Sequence, residues 1–249
     1  MQARLAAFLA FALPLLLGSG RARAAEVLVN PVVVSLSSAA RSAIVVVRNQ
    51  GTEAVRFELQ ARAWAQDPAG EMQLAPTSDL AVYPPVLALG PGEERNVRIG
   101  AVAQFGPIEK TYRVFLQELG APEKPEGAAQ IRVLSRIGLP VFLAPARPTE
   151  RAVLVDLAAR GGKVSFVLRN EGTVHVRPTA VRLEGLGKDG KAGFDRELPA
   201  WYVLAGGTRA YEVEIPTPDC AAVREVAVTV DLGREVLRAR LETPAGCAP

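Results

Sequence analysis

A nine-residue stretch that occurs twice constrains the fold of this chain more than any other feature. Residues 48–56 return as residues 169–177 with six of nine positions identical, and both copies contain Arg-Asn-x-Gly-Thr. Each copy follows an apolar, β-branched run, so we predict a β-hairpin at each one, with the Asn-x-Gly as its turn. The copies lie about 120 residues apart, roughly the length of one sandwich domain. The repeat therefore predicts two tandem β-sandwiches.

The rest of the chain has the pattern of strands and turns. Residues 55–63 alternate apolar and polar side chains, as a half-buried strand does, and Gly- and Pro-rich clusters separate such runs. Beyond the first residues, none of the segments sustains a 3.6-residue period. The sequence thus predicts an all-β chain with a domain break near residues 144–148. The predicted domains cover residues 25–145 and 146–249.

The first 24 residues are predicted to be a secretory signal peptide rather than part of the fold. Arg4 precedes a thirteen-residue apolar run, and residues 22–24 have the small-x-small form of a cleavage site. An uncleaved anchor is the alternative. Cleavage would remove three arginines, which leaves 26 of the 29 basic side chains against 26 acidic ones. With a formal net charge of zero, neither nucleic acid nor membrane insertion is expected of the exported chain.

Few side chains are available for catalysis or metal binding. The chain has two cysteines, Cys220 and Cys247, which in an exported protein predict one disulfide, with two free thiols as the alternative. His175 is the only histidine, and the first copy of the repeat has Ala54 at its position, which does not favour a catalytic base. Residues 185–192 resemble a phosphate-binding loop but end in Ala192, so we predict an exposed hairpin turn there. No enzyme activity, metal or cofactor is expected.

Three segments of the first half carry a resemblance to a known family. Residues 83–99 contain Tyr-Pro-Pro, Gly-Pro-Gly and Val-Arg-Ile, residues 110–119 contain Tyr-Arg-x-Phe, and residues 136–142 read Arg-Ile-Gly-Leu-Pro-Val-Phe. In this order they resemble the PapD-like family of periplasmic pilus-assembly chaperones. Trp-Ala-Gln at 64–66 and Pro-Thr-Ser-Asp-Leu at 76–80 make the likeness closest to the archaic branch of chaperone–usher systems. The second half resembles the family more loosely.

The resemblance implies a fold and a function. It implies two immunoglobulin-like sandwiches arranged as an L with a cleft between them. Such chaperones act in the periplasm without ATP, bind pilin or fimbrial subunits by donor-strand complementation, and deliver them to an outer-membrane usher. The strand that they lend falls here within residues 130–142. The predicted donor-strand side chains lie on one mostly apolar face, and are Ile131, Val133, Ser135 and Ile137. A register shifted by one, or an ordinary core strand, is the alternative.

The chain departs from the family at the site that holds the subunit's C-terminal carboxylate. Most relatives use an Arg on the first strand and a Lys within Arg-Ile-Lys-Leu. Here residues 26–40 contain no Arg or Lys, and Gly138 stands at the position of the Lys. A desolvated carboxylate still requires a cationic partner. We therefore predict Arg136, on the same strand face as Gly138, as the anchor and Arg98 as a second candidate. The alternative function is a secreted two-domain structural or adhesive protein associated with pili.

Overall fold

The computed structural model of the chain describes residues 26–120, 133–188, 190, 192–215 and 222–243. Within these residues the fold is all-β: seventeen strands form four sheets, and there is no helix. It follows that none of the described residues belongs to a helix that could cross a membrane. The predicted signal peptide, Ile131, Cys220 and Cys247 lie outside the described residues, so the predicted disulfide stays a prediction.

The N-terminal sandwich contains ten strands in two sheets. One sheet has the order β1-β3-β8-β6; the other has the order β2-β10-β9-β4-β5, and β7 also pairs with β4. The apolar side chains of the two sheets alternate inward and form one buried core. The strands are β1 (Val27–Asn30), β2 (Val34–Leu36), β3 (Ser42–Asn49), β4 (Val55–Gln66), β5 (Met72–Pro76), β6 (Leu80–Tyr83), β7 (Val86–Leu89), β8 (Glu94–Ala101), β9 (Lys110–Glu118) and β10 (Arg136–Leu143).

The C-terminal sandwich is built from one sheet of order β11-β12-β15 and another of order β14-β13-β16-β17, again around its own core. β13 and β14 pair antiparallel across residues 187–191, which agrees with the hairpin turn predicted there. The strands are β11 (Ala152–Arg160), β12 (Lys163–Asn170), β13 (Ala180–Leu186), β14 (Ala192–Leu198), β15 (Thr208–Glu214), β16 (Glu225–Asp231) and β17 (Val236–Glu242). The two-sandwich architecture predicted from the repeat is confirmed.

The predicted hairpin at each copy of the repeat is wrong. β3 pairs with β1 and β8, whereas β4 belongs to the facing sheet, so residues 50–54 carry the chain from one sheet to the other. In the second copy, β12 pairs with β11 and β15, and the next strand, β13, is again in the opposite sheet. The Asn-x-Gly turn reverses the chain in both cases, but its geometry does not determine which strand the next run will pair with.

A buried asparagine explains why the repeat has this sequence. The Oδ1 of Asn49 accepts a hydrogen bond from the Gly51 amide at 3.0 Å, and its Nδ2 donates to the carbonyls of Glu53 and Gly90 at 2.7 and 3.0 Å. Asn170 makes the equivalent bonds to Gly172, Val174 and Val203 at 2.8, 2.8 and 2.9 Å. One side chain thus satisfies both the turn and a neighbouring loop, which an aspartate could not do because it has no amide donor.

The two glycines of the repeat differ in the space around them, and this yields a matched test. A Cβ at Gly172 would overlap the carbonyl oxygen of Thr149 and lie 2.8 Å from the Arg151 nitrogen, both of which are main-chain atoms. A Cβ at Gly51 would have one tight neighbour, the Asn49 Oδ1 at 3.2 Å, and its next contacts, with Glu26, are at 3.9 Å or more. We expect Gly172→Ala to lower the free energy of unfolding by about 1–3 kcal/mol through overpacking. Gly51→Ala should cost less, roughly 1 kcal/mol or below. Urea unfolding of both variants measures this, and equal losses would contradict it.

Candidate functional site

β10 carries the described donor-strand candidates out of the core of the N-terminal sandwich. Leu139 and Val141 on this strand are fully inside that core, and Ile137 packs at its margin. In the preceding segment Ser135 is half-buried and Val133 is 51% exposed. The same row of alternate side chains is therefore covered at one end and increasingly uncovered at the other. Val133, Ser135 and Ile137 lie together in this row, and Ile131 precedes the described part.

The main chain of β10 is also open along one side. β9 pairs with β10 over residues 136–143, but β2 pairs with its other side only at residues 141–143. Along residues 136–140 none of the described strands occupies that side. The segment just before β10 is held in line with β9, because the Ser135 amide donates to the Glu118 carboxylate at 3.0 Å and the Glu118 amide donates to the Ser135 carbonyl at 2.9 Å. This leaves a sheet edge that is open to a further strand over residues 136–140, where the Gly138 carbonyl accepts from the Arg113 side chain.

Arg136 lies on the other face of β10, which looks away from the core. Its guanidinium stacks on the ring of Phe115 in β9, 4.1 Å from the ring centroid. The same ring fills the space above Gly138, where a Cβ would lie only 2.9 Å from the Phe115 Cε1. Phe115 and Gly138 are thus mutually adapted, and a longer side chain at 138 would require the ring to move. Arg136 itself is exposed.

Arg98 is not brought near Arg136. It lies on β8, in the other sheet of the sandwich, between Val97 and Ile99, whose side chains point into the core. Arg98 therefore faces solvent on the opposite side of the molecule from the Phe115 ring, and its Nη1 donates to the Ser42 Oγ at 3.2 Å. The structure places the two predicted anchor residues on opposite outer faces of one sandwich.

The sequence analysis missed Arg113, the most buried cation of this region. Arg113 lies on β9 beside Gly138 and is 7% exposed. Its guanidinium carbon is 4.3 Å from the ring centroid of Trp64 in β4 and 5.4 Å from that of Trp201 in the C-terminal sandwich. Nη1 donates to the Gly138 carbonyl at 3.3 Å. Burial lowers the pKa of Arg113 from its usual range.

An aromatic cluster joins the two sandwiches next to Arg113. Trp64, Phe142, Tyr202 and Leu204 are buried against one another, with contributions from both halves of the chain. Trp64 meets Tyr202 edge to face at a centroid distance of 5.5 Å, and Phe142 lies 5.7 Å from Tyr202. Such ring pairs contribute about 0.5–1.5 kcal/mol each beyond the area that they bury. Arg113 therefore lies beside a closely packed cluster of aromatic side chains between the two sandwiches.

Gln66 bonds the two sandwiches through main-chain groups. Its Nε2 donates to the Tyr202 carbonyl at 2.8 Å and to the Gly70 carbonyl at 3.0 Å, while its Oε1 accepts from the Leu204 amide at 2.8 Å. One side chain at the end of β4 thereby fixes the position of the segment that carries Trp201 and Tyr202.

His175 also belongs to this junction. Its ring stacks on Phe142 at a centroid distance of 3.8 Å, and its Nδ1 lies 2.7 Å from the Oε2 of Glu109, which also accepts from the His175 amide at 3.0 Å. The histidine that the second copy of the repeat carries in place of Ala54 thus contributes to the contact between sandwiches. Among the described residues no group of three potential metal ligands is present.

The comparisons with known proteins agree with this geometry. Residues 26–149 match the family described as pili and flagellar-assembly chaperone, PapD N-terminal domain. This chain belongs to the PapD-like chaperone family. The match covers β1 to β10, and therefore includes the open edge, Arg113 and Trp64. No curated protein matches the chain.

Solved structures of PapD-like chaperones show the same fold over most of the chain. The chaperone–tip adhesion subunit complex CsuC–CsuE from archaic Csu pili of Acinetobacter baumannii matches with a TM-score of 0.59 and 17% identity, covering 88% of this chain and 100% of that one. The Salmonella enterica SafA pilin complex with the SafB chaperone matches at 0.55 and 14%, covering 87% and 96%. The E. coli chaperone DraB matches at 0.54 and 14%, covering 88% and 100%. At such identities the likeness concerns the fold.

Gln66 provides a test of how firmly this PapD-like chaperone holds its two sandwiches together. Gln66→Ala removes the acceptor for the Leu204 amide and the donor to the Tyr202 carbonyl, which are then left unpaired beside a buried cluster. We expect a loss of about 1–3 kcal/mol in the free energy of unfolding. The matched control is Gln73→Ala, whose side chain bonds to Asp67 at 3.3 Å on the surface and to no other described residue. Thermal unfolding that shifts equally in both variants would count against the role of Gln66.

Proposed function

We propose that this protein is a periplasmic chaperone that binds pilus subunits by donor-strand complementation and passes them to an outer-membrane usher. The observation that carries the proposal is the row on and before β10. Its apolar side chains emerge from the core at Ile137 and become exposed at Val133, beside a sheet edge that is open over residues 136–140. A subunit strand added to that edge would gain main-chain hydrogen bonds and apolar contacts together.

The magnitude of this gain is sufficient without chemical energy. An Ile or Val side chain that is fully removed from water contributes roughly 1.5–3 kcal/mol. Val133 is 51% exposed and would gain part of this on binding, whereas Ile137 is already partly buried against the core and would gain less. The strand ladder would supply further hydrogen bonds. Ser135, between Val133 and Ile137, is small and polar, so the pocket that receives it would have to be shallow and offer its hydroxyl a hydrogen-bond partner. Binding of this kind requires neither ATP nor a covalent step, so the proposed function involves no enzyme activity.

Three further observations support the choice of partner and pathway. Relatives of the same fold have been solved with a pilin, as SafA with SafB, and with a tip adhesion subunit, as CsuE with CsuC. The leader-like residues 1–24 agree with export to the periplasm. The motifs around Trp64 and Arg136 favour the archaic branch, to which the Csu system belongs. Arg136, exposed on the face of β10 opposite the donor row, is proposed to contact the subunit's C-terminal carboxylate.

The test uses two neighbouring side chains of similar exposure. Val133 is 51% and Leu134 44% exposed, but they point to opposite faces of the extended segment that leads into β10. We expect Val133→Asp to abolish capture of the cognate fimbrial subunit, because a carboxylate would be buried in an apolar groove. Leu134→Asp should retain at least half of the wild-type yield of complex. Co-expression and co-purification of chaperone and subunit measure the yield of complex.

Two outcomes would refute donor-strand capture. One is a subunit that stays soluble in the absence of the chaperone and does not co-purify with it. The other is equal capture by wild type, Val133→Asp and an Ile137→Asp variant. Circular dichroism of the free variants provides the control for folding, since Val133 lies outside the core.

A further inference from the structure

Glu118, the last residue of β9, holds the place where the donor segment meets the sheet; the donor segment is residues 133–135, which lead into β10. The Glu118 amide donates to the Ser135 carbonyl at 2.9 Å, and the Ser135 amide donates to the Glu118 Oε2 at 3.0 Å. In a regular antiparallel pair, two such residues exchange both bonds through their main chains. Here a side chain supplies one of the two acceptors, and one residue holds both main-chain groups of Ser135.

The carboxylate of Glu118 stands where an apolar side chain would be expected. Glu118 is 5% exposed and lies opposite Phe57 of β4, which is fully buried. Val114 and Leu116, at the preceding alternate positions of β9, point into the core. A buried carboxylate is costly unless it accepts hydrogen bonds, and a bond to a charged acceptor is stronger than one to a neutral carbonyl. The bond from the Ser135 amide therefore offsets part of a cost that an apolar residue would avoid.

β9 and the donor segment separate beyond Glu118. The amide of Leu119, the next residue, donates to the Arg56 carbonyl at 2.8 Å, so this chain continues beside β4. Residues 133–135 belong to none of the described strands, and Val133 is 51% exposed. Among the described residues, Ser135 is thus the outermost member of the donor row whose main chain the sheet holds. The direction in which Val133 leaves the sheet depends on how Ser135 is held.

We propose that Glu118 is a positioning residue for subunit capture: its carboxylate fixes Ser135, and thereby keeps the donor segment extended in line with β10 before a subunit arrives. The proposal rests on the function proposed above and adds a residue to it. A segment that is already extended loses less conformational freedom on binding, so that association is faster and the complex is more stable. Glu118 acts through Ser135, whereas Val133 contacts the subunit.

Hydrogen exchange measures the positioning in the free protein. Glu118→Leu removes the carboxylate and places an apolar side chain of similar size at the margin of the core. We expect the Ser135 amide to exchange about tenfold faster in this variant than in wild type, as resolved by NMR. The amide of Leu139, farther inside the same ladder, should not exchange faster. Equal exchange of Ser135 in wild type and Glu118→Leu would overturn the proposal.

Two further variants separate the hydrogen bond from the shape of the side chain. Glu118→Gln keeps an oxygen acceptor at the same reach, and should restore the protection of Ser135 to within about threefold of wild type. Glu118→Thr suits a strand but is too short to reach the Ser135 amide, and should lose protection as Glu118→Leu does. A Gln variant that exchanges as fast as the Leu and Thr variants would overturn the role assigned to the bond.

Capture kinetics test whether the positioning serves the function. The cognate fimbrial subunit, diluted from urea, would be passed over immobilised chaperone. We expect association with Glu118→Leu to be about fivefold slower than with wild type, and Glu118→Gln to recover most of the rate. Gln117→Leu, the neighbouring substitution on the other face of β9, is the matched control and should capture as wild type does. Association that slows equally in Gln117→Leu and Glu118→Leu would refute a specific role of Glu118.

Failure of this proposal is distinguishable from failure of donor-strand capture. If Ser135 loses its protection in Glu118→Leu but the subunit is captured at the wild-type rate, while Val133→Asp captures none, capture through β10 stands and the positioning role fails. If Val133→Asp captures as wild type does, donor-strand capture itself fails. The exchange measurement needs no subunit and reports on the bond between Glu118 and Ser135 in either case.

Discussion

Trp64 packs at the junction of the two sandwiches and also contacts the buried Arg113. Its indole ring meets Tyr202 edge to face and lies near Phe142, so it takes part in joining the two sandwiches. The same ring carries the Arg113 guanidinium at 4.3 Å. A cation over an indole that is shielded from water is worth about 2 kcal/mol, more than an exposed pair. Burial of the junction and orientation of the cation therefore depend on one side chain, and neither can be altered without the other.

The sequence predicts the strands and the two-sandwich plan because both depend on local patterns. Alternation determines which side chains can be buried, and the Asn-x-Gly motif determines where the chain turns. The pairing of strands across that turn was not predictable, since residues 50–54 look alike whether the chain returns to its own sheet or crosses to the facing one. In the crossing that the structure shows, the bond from Asn49 to the distant Gly90 carbonyl is formed by a loop far along the chain.

The candidate site likewise has one part that the sequence predicts and one part that it does not. The apolar row with Val133 and Ile137 follows from alternation alone, whereas Arg113 has the sequence pattern of any solvent-facing strand residue. It lies between two tryptophan rings, Trp64 of its own sandwich and Trp201 of the other one. The one indication in the sequence was that Arg113 belongs to the Tyr-Arg-x-Phe motif. The Phe of that motif, Phe115, pairs with Gly138 on β10. Contacts between domains are the information that a local pattern lacks.

The short parallel pairing of β2 with β10 has a geometric consequence. β2 occupies the side of β10 from residue 141 onward, so a guest strand laid along residues 136–140 would meet the end of β2 and could slide no farther. Pro140, at that boundary, offers no amide to a neighbour. β2 would therefore fix the register of the guest strand, and with it which guest side chains lie beside Ile137. A one-residue slip would turn every guest side chain to the opposite face. An edge with a fixed register would therefore select among guest strands by their sequence.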